Sequence, residues 1–549
     1  MYRTICRKIV LLIERIKWYR LVLVFLFFIA PYLAFHNLET NPRPWQDEGA
    51  YLSVAKSLAE HGVYAVENSD GYQTFGPIQS VGPTVIVPIA VGFRLYGVGL
   101  LQGRIIIVIL SLITTMLFYF VGKRLFGPES STLALLLLLG SPAVEYLLVS
   151  RQAIGENVAL GFFLGGFLLM SKGLENRSYT FFILSGLLFG ASMVTKAQFS
   201  IMIFGALFLL LLLDFFYHRL GNFSRLIVLG FFALACVVAW WTWQYFYFGA
   251  EVFQQNAEKL NQLSQGTGGV DLSNVVEGIR FLTGTGSGHY YYFLGFPALF
   301  YMVLLGLKRN YEGYSLAFLV VFCVLWIGYY LLWINPWLLT AYAPMAISAI
   351  FVGKLWFDLL NGFLKSAQKI GPNLFKSFLM QEPTQEYFMS IGTLLVIIVL
   401  AGFAFYNIQR TFRVYVIDRV GIDRSVVRTP LQLEVPHQVA DYLEQNVSTN
   451  AIIETWEREL GILTDLTYHY PDQALLGDTY GAIYRDRPRL YVLGENYFQE
   501  SESSYLVIGW FARSNNLYDM EYVDSHARLV TTFGSGDWRY DVYELDLFE

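Results

Sequence analysis

The sequence predicts an α-helical polytopic membrane protein carrying a C-terminal α/β domain, on two observations. Of 549 residues, 55% are apolar, 17% aromatic and only 15% charged, with a mean hydropathy of +0.45. Soluble globular chains carry about 25% charged residues. Apolar runs near the length of a membrane span, about 20 residues, recur as far as Phe405. From residue 410 to 549 the chain turns polar and acidic on balance.

The elements follow in order. Arg3, Arg7, Lys8, Arg15, Lys17 and Arg20 precede the first run, Leu21–Ala34, which is long and lacks a small-x-small cleavage site, so it reads as a retained signal-anchor. Pro83–Tyr96 is short, holds Pro83, Pro88 and Arg94, and suits a helix lying in the interface of the first loop better than a crossing. Further spans include Ile105–Val121, Thr132–Val149, Ile201–Phe216 and Ile391–Phe405. Basic residues resist translocation and mark cytoplasmic loops. With Pro83–Tyr96 on the surface, Lys123-Arg124, Lys172 with Arg177, Arg219 with Arg225, Lys308-Arg309 and the stretch from Lys354 to Lys376 all fall inside. This parity predicts about eleven spans, with the N-terminus cytoplasmic and the C-terminal domain extracytoplasmic.

The division predicted is a membrane domain over residues 1–408 and an α/β domain over 409–549, with Ser366–Glu386 as an inner connector. In the second domain Val439–Gln445 reads as an amphipathic helix, and Ala451–Thr455 and Tyr505–Gly509 as strands. A closing strand pair, Leu529–Phe533 and Tyr540–Leu545, flanks the turn Gly534-Ser535-Gly536-Asp537. Cys6, Cys236 and Cys323 are the only cysteines, which leaves this domain without a disulfide or thiolate metal site. A net charge of −5 argues against nucleic acid as a partner.

The same parity gathers ionisable residues on the outer face: Asp47-Glu48, Arg104, Arg151, Glu156 and Lys196, with the loop Gly249–Gly288. Such groups near hydrocarbon are costly and line cavities or pair with each other. Asp47 and Glu48 precede an amphipathic helix, Ala50–Glu60, with Ala50, Val54 and Leu58 on one face. Either they cap and favour that helix, or they do acid/base chemistry. Glu156 opens the fourth span, as a helix N-terminal acid or a site residue; Arg104 and Lys196 either snorkel at span ends or face a substrate. His61 and His289 lack the paired spacing of a transition-metal site, while sequence-distant carboxylates leave a divalent cation possible through oxygen ligands. Trp240-Trp241-Thr242-Trp243 with Tyr245 and Tyr247, and Tyr290-Tyr291-Tyr292, read as interfacial aromatic belts. No Walker or dinucleotide glycine motif is present.

In order along residues 19–350, these features resemble the GT-C glycosyltransferases, in particular the protein O-mannosyltransferases and lipid A aminoarabinose transferases. The acidic pair Asp47-Glu48 with Tyr51 matches the opening of their first outer loop. Gly82-Pro83 through Leu95-Tyr96-Gly97, then Arg104, Arg124-Leu125-Phe126-Gly127, Glu156, Thr195-Lys196 and Tyr342-Ala343-Pro344 follow in the family's order. Three departures stand out. Relatives often have Asp at the Glu156 position and a basic residue where Trp337 stands. The Glu-Lys-Pro-Pro of aminoarabinose transferases is here Val81-Gly82-Pro83-Thr84, which argues against that specificity.

The resemblance implies transfer of a sugar from a polyprenyl-phosphate donor to a lipid, glycan or protein acceptor hydroxyl on the outer face of a prokaryotic plasma membrane. Inversion at the anomeric carbon is expected with it. It implies Asp47 as general base, Glu48 and Glu156 orienting sugar or acceptor or binding a metal, and Arg104, Arg151 and Lys196 on the donor phosphate. Tyr51, His289 and Tyr342 would be further substrate contacts, with membrane lipids surrounding the spans. The alternative is a transporter or flippase with the same charges along its path; the clustering on one face and the absence of a half-to-half repeat favour the transferase.

Overall fold

The computed structural model describes residues 18–75, 81–140, 146–267, 295–333, 341–370, 430–485 and 493–545, with isolated positions besides. Among the described residues, seven helices are long and apolar enough to cross a membrane. The first is α1 (Trp18–Phe35). The loop after it holds α2 (Gln46–Glu60), the two-stranded hairpin β1 (Val66–Asn68) and β2 (Gly71–Gln73), and α3 (Pro83–Tyr96). At 1.5 Å per residue α3 is about 21 Å long, short of the roughly 30 Å hydrocarbon layer. It packs on α2 and on the helices that follow.

The bundle continues with α4 (Leu100–Gly140), α5 (Glu156–Asn176), α6 (Tyr179–Thr195), α7 (Gln198–Leu213) and α8 (Phe223–Phe248). After α8 come α9 (Ala250–Thr267), α10 (Phe296–Gly306), α11 (Tyr311–Trp333) and α12 (Tyr342–Ile370). Within α4, Gly127 has φ 85° and ψ 169°, a left-handed-side conformation that breaks the helix just before Pro128. The two arms then fold back on each other, and Ser131 Oγ donates to Tyr119 O at 2.6 Å. This break is the Arg-Leu-Phe-Gly segment of the sequence.

Aromatic side chains fill the middle of the bundle. Phe163 stacks on Phe322 with centroids 4.1 Å apart, and Phe189, Phe199 and Phe318 close around them. Part of the stretch read as a loop, Gly249–Gly288, is instead the polar helix α9. It packs on helix Leu475–Arg485 of the C-terminal domain, with Lys259 paired to Asp472. The predicted span Ile391–Phe405 and the division after residue 408 fall, apart from isolated positions, outside the described residues. So does the connector Ser366–Glu386 beyond Ile370, the end of α12.

The C-terminal domain opens with α13 (Pro430–Asn446), longer than the sequence pattern suggested. Its sheet has the order β4-β3-β5-β7-β6, built from β3 (Ile452–Thr455), β4 (Thr467–His469), β5 (Tyr505–Ile508), β6 (Ala527–Phe533) and β7 (Tyr540–Leu545). Strands β4, β3 and β5 run parallel, while β5–β7 and β7–β6 are antiparallel. Buried Glu454 ties this sheet together. It accepts from His469 Nδ1 at 2.5 Å, Tyr497 OH at 2.9 Å and Tyr518 OH at 3.0 Å, as a buried carboxylate must.

The domain rests on α2. Eleven of that helix's fifteen residues are buried, including Gln46, Ser53 and Ser57. The helix read as amphipathic over Ala50–Glu60 thus starts earlier, at Gln46, and is covered on two sides: one meets the bundle and the other meets the C-terminal domain.

Candidate active site

Everything at the site starts from the first turn of α2. Trp45 is its N-cap and makes no side-chain cap hydrogen bond, so Asp47 lies inside the helix and is not its cap. Successive residues of a helix point about 100° apart, which sends the two carboxylates to different surroundings.

Glu48 points into the bundle. Arg104 Nε donates to its Oε1 at 2.8 Å and Nη2 to its Oε2 at 2.5 Å, and Ala153 N adds a third bond at 3.2 Å. The remaining Arg104 nitrogen, Nη1, donates to Leu38 O at 2.8 Å and Glu39 O at 3.1 Å. Both side chains are wholly buried. The substrate roles expected for Glu48 and Arg104 do not fit this geometry: each spends its polar atoms on the other and on backbone. Together they pin the start of α2 to α4 and to the segment before α5. Arg151, also fully buried, donates from Nη2 to His36 O, and Gln152 Nε2 reaches Arg43 O at 3.3 Å.

Asp47 faces the other way and is half-buried. Among the described residues nothing hydrogen-bonds its carboxylate. Beside it lies the ion pair of Lys196 Nζ with Glu156 Oε1 at 2.8 Å, both largely buried, with the ammonium 5.7 Å from the Tyr51 ring centroid. Glu156 heads α5, where the helix dipole favours an acid, and its Oε2 has no hydrogen-bond partner among the described residues. Burial pushes the Asp47 carboxyl up to about 6; Lys196 pulls it down, Glu156 adds to the rise, and Arg458 pulls it down.

Lys196 is delivered by a contact between two sequence motifs. A Cβ on Gly82 would lie 1.9 Å from Val194 O, so only glycine lets the start of α3 meet the end of α6. There Gly82 N donates to Thr195 O at 3.1 Å, and the Thr84 and Thr195 hydroxyls pair at 2.6 Å. Tyr342 lies one layer deeper and donates to Asn157 Oδ1 at 2.8 Å, next in sequence to Glu156. His289 and Trp337 lie outside the described residues.

The C-terminal domain closes the site with Trp456-Glu457-Arg458-Glu459, which the sequence analysis did not single out. The available signal was a run of three charges between a strand and an apolar turn. A Cβ on Gly49 would lie 2.2 Å from Glu459 N and 2.4 Å from Arg458 C, so the helix and this segment touch backbone to backbone. Gly49→Ala is expected to cost about 1–3 kcal/mol as an overpacked contact, read as a lower Tm and faster proteolysis of the C-terminal domain.

Glu457 and Glu459 are both buried beside Arg43. Glu457 accepts from Ala512 N at 3.0 Å, Glu459 accepts from Tyr540 OH at 2.5 Å, and Arg43 Nη1 donates to Trp538 O at 3.2 Å. Burial pushes both carboxyls up, and Glu457 raises Glu459 further. A carboxyl raised on folding adds stability that is full below its unfolded pKa, about 4.3, and is lost as pH climbs through the folded value. Glu459→Gln is expected to flatten the fall in Tm between pH 5 and 9, about the ordinary working range, measured by thermal melts in detergent.

Among the described residues no group of three or more His, Cys, Asp or Glu is placed to hold a metal ion.

A helical bundle whose first loop carries a buried acid-bearing helix, covered by an α/β domain, is the fold of the GT-C membrane glycosyltransferases. Residues 80–243 match the family profile of the dolichyl-phosphate-mannose-protein mannosyltransferases. The whole chain is similar to ArnT from Cupriavidus metallidurans in its apo state, with 14% identity and a TM-score of 0.61 over 95% of this chain and 97% of that one. The same ArnT bound to undecaprenyl phosphate gives 14% identity and 0.56 over the same shares. AglB, an oligosaccharyltransferase of Archaeoglobus fulgidus solved with an inhibitory peptide and a dolichol-phosphate, gives 12% identity and 0.53 over 96% of this chain and 74% of that one. No curated protein matches the chain in sequence.

Proposed function

We propose that this protein transfers a sugar from a polyprenyl-phosphate carrier to an acceptor hydroxyl, with Asp47 as general base, on the outer face of a prokaryotic plasma membrane. The observation that carries the reading is the Asp47 carboxylate. It is half-buried, free of hydrogen bonds among the described residues, titrates near 6, and lies beside the Lys196–Glu156 pair. A base does best with a pKa close to the working pH and an open path to the proton it takes. Undecaprenyl phosphate in ArnT and dolichol-phosphate in AglB, two proteins of this fold, support a lipid-phosphate donor.

In the reaction Asp47 takes the proton of the acceptor hydroxyl as its oxygen bonds to the anomeric carbon. The bond from that carbon to the phosphate oxygen breaks, and the configuration inverts. The polyprenyl phosphate leaves with one more negative charge, which the Lys196 ammonium stabilises; Arg151 is the second cation proposed for that phosphate. Glu156 holds Lys196 with Oε1 and offers Oε2 to a sugar hydroxyl. Glu48 and Arg104 touch no substrate and hold the helix that carries the base. If a divalent cation takes part, Asp47 and Glu156 are the carboxylates with oxygens to spare.

The test is transfer of radiolabelled sugar from a panel of polyprenyl-phosphate hexoses and pentoses, in membranes holding wild type or Asp47→Asn, with and without chelator. Wild-type transfer that the substitution abolishes supports the reading. Transfer that survives it removes Asp47 from the chemistry, and movement of the lipid-linked sugar across the bilayer without transfer would favour a flippase.

A further inference from the structure

We propose that the protein carries a second binding site, for the neutral end of a glycan, in the cleft where α2, the β1–β2 hairpin and the β4 edge of the C-terminal sheet meet. The site is separate from Asp47 and does not rest on the transferase reading.

The cleft holds about 390 Å³, within the range of roughly 300–1,000 Å³ usual for small-molecule sites. Lys56, Ser57 and Glu60 line it from α2, Glu67 and Asn68 from the hairpin, and Thr467 and Tyr470 from β4 and its end. Ser53, the lining residue nearest Asp47 in sequence, lies about 9 Å farther along the helix axis. The backbone contact of Gly49 with Glu459 falls between the two positions. The walls are tied together. Ser69 N donates to Tyr468 O at 2.9 Å, Tyr470 N to Asn68 Oδ1 at 2.6 Å, and Gln73 Nε2 to Tyr470 O at 2.5 Å. Lys56 Nζ pairs with Asp465 Oδ1 at 3.0 Å, joining helix to domain.

One buried group at the cleft is left unmatched. Tyr470 is 3% exposed, its ring held by Tyr468, stacked at 5.6 Å between centroids, and by the Arg458 guanidinium 5.1 Å from its own centroid. The Tyr470 hydroxyl abuts Gly461, another lining residue, where a Cβ would lie 2.2 Å from it. It has no hydrogen-bond partner among the described residues. Buried hydroxyls are normally matched, and a ligand hydroxyl reaching this spot would match it.

The lining selects among ligand classes. Glu60, Glu67 and Asp465 face a single ammonium, Lys56, which Asp465 already pairs, so an anion such as a phosphate or uronate is disfavoured. A simple cation would use the acceptors and leave the Lys56 and Tyr470 donors unused. An apolar ligand would desolvate all of these groups without return. An extended peptide would add as a strand to the β4 edge, and the hairpin already covers that edge. Sugar hydroxyls both donate and accept, which suits carboxylates, an ammonium and a phenol around one small space. Because such a ligand would touch first loop and C-terminal domain together, its binding would also brace their docking.

The test uses full-length protein in nanodiscs, titrated with neutral di- and trisaccharides of glucose, galactose and mannose, with oligogalacturonate and oligolysine as charged counterparts. Saturation-transfer NMR reads binding and thermal melts read stability. A neutral sugar is expected to bind saturably and raise Tm, equally in wild type and Asp47→Asn. Thr467→Trp, at an exposed strand position where tryptophan is well tolerated, should fill the cleft and abolish binding. Tyr470→Phe should weaken it by about three- to tenfold, the worth of one hydrogen bond, while leaving the Tm of the sugar-free protein unchanged, since the hydroxyl is unpartnered. Absence of saturable binding by every neutral sugar overturns the proposal, as does binding that neither cleft substitution moves. Preference for oligogalacturonate or oligolysine overturns the glycan assignment, and loss of sugar binding in Asp47→Asn would place the sugar at Asp47 instead. Sugar transfer is not read in this experiment, so its failure leaves the transferase reading untouched.

Discussion

Asp47→Asn is expected to lower kcat for sugar transfer by about 10²- to 10⁴-fold, the usual contribution of a positioned general base, in a protein that folds as well as the wild type. The second half follows from the surroundings of the side chain. Nothing among the described residues bonds the carboxylate, so the isosteric amide breaks no contact. It also removes a half-buried charge, which burial disfavours. Tm should hold or rise while turnover disappears. The wild-type rate should fall as pH drops through about 6, where the Asp47 carboxyl takes up its proton and ceases to act as a base. Steady-state kinetics from pH 5 to 8, about where this titration lies, checks the limb, and thermal melts check the fold. A variant that turned over normally while losing stability would make Asp47 a structural acid and shift the search to Glu156.

Much of this site was legible in the sequence because its motifs turn out to be one another's contacts. Gly82 and Thr195 meet backbone to backbone, Glu48 meets Arg104, and Lys196 meets Glu156. Spacing along the chain said that these residues belonged to one face. It did not say which were partners, so Glu48 and Arg104 carried expected substrate roles, whereas the structure pairs them with each other. The longer strands β3, β5, β6 and β7 stood out by alternation and turn residues, whereas β1, β2 and β4 are three residues each and too short to register a period. Arg458 escaped notice for a different reason. Its meaning depends on docking between Gly49 and Glu459, a contact some 400 residues apart that no local pattern encodes. The same docking buries polar residues of α2 such as Ser53 and Ser57, which periodicity alone, reading the segment as amphipathic, does not foretell.

Glu48→Ala is expected to destabilise the protein by about 3–5 kcal/mol, the cost of stranding one member of a buried ion pair, and so to remove folded protein before any rate can be measured. The Arg104 guanidinium would keep its bonds to Leu38 O and Glu39 O but lose both bonds to carboxylate at a position without exposure to water. The start of α2 would lose its tie to α4, and Ala153 N would lose its acceptor. Low yield in detergent and a low Tm are the readouts. The paired replacement Glu48→Leu with Arg104→Met separates charge stranding from a need for the pair itself. A buried ion pair exchanged for apolar residues of similar volume is often neutral or stabilising. Recovery of Tm together with transfer would confine Glu48 and Arg104 to holding the helix. Recovery of Tm with transfer still absent would mean that their charges also act on the reaction, across the single residue step that separates Glu48 from Asp47.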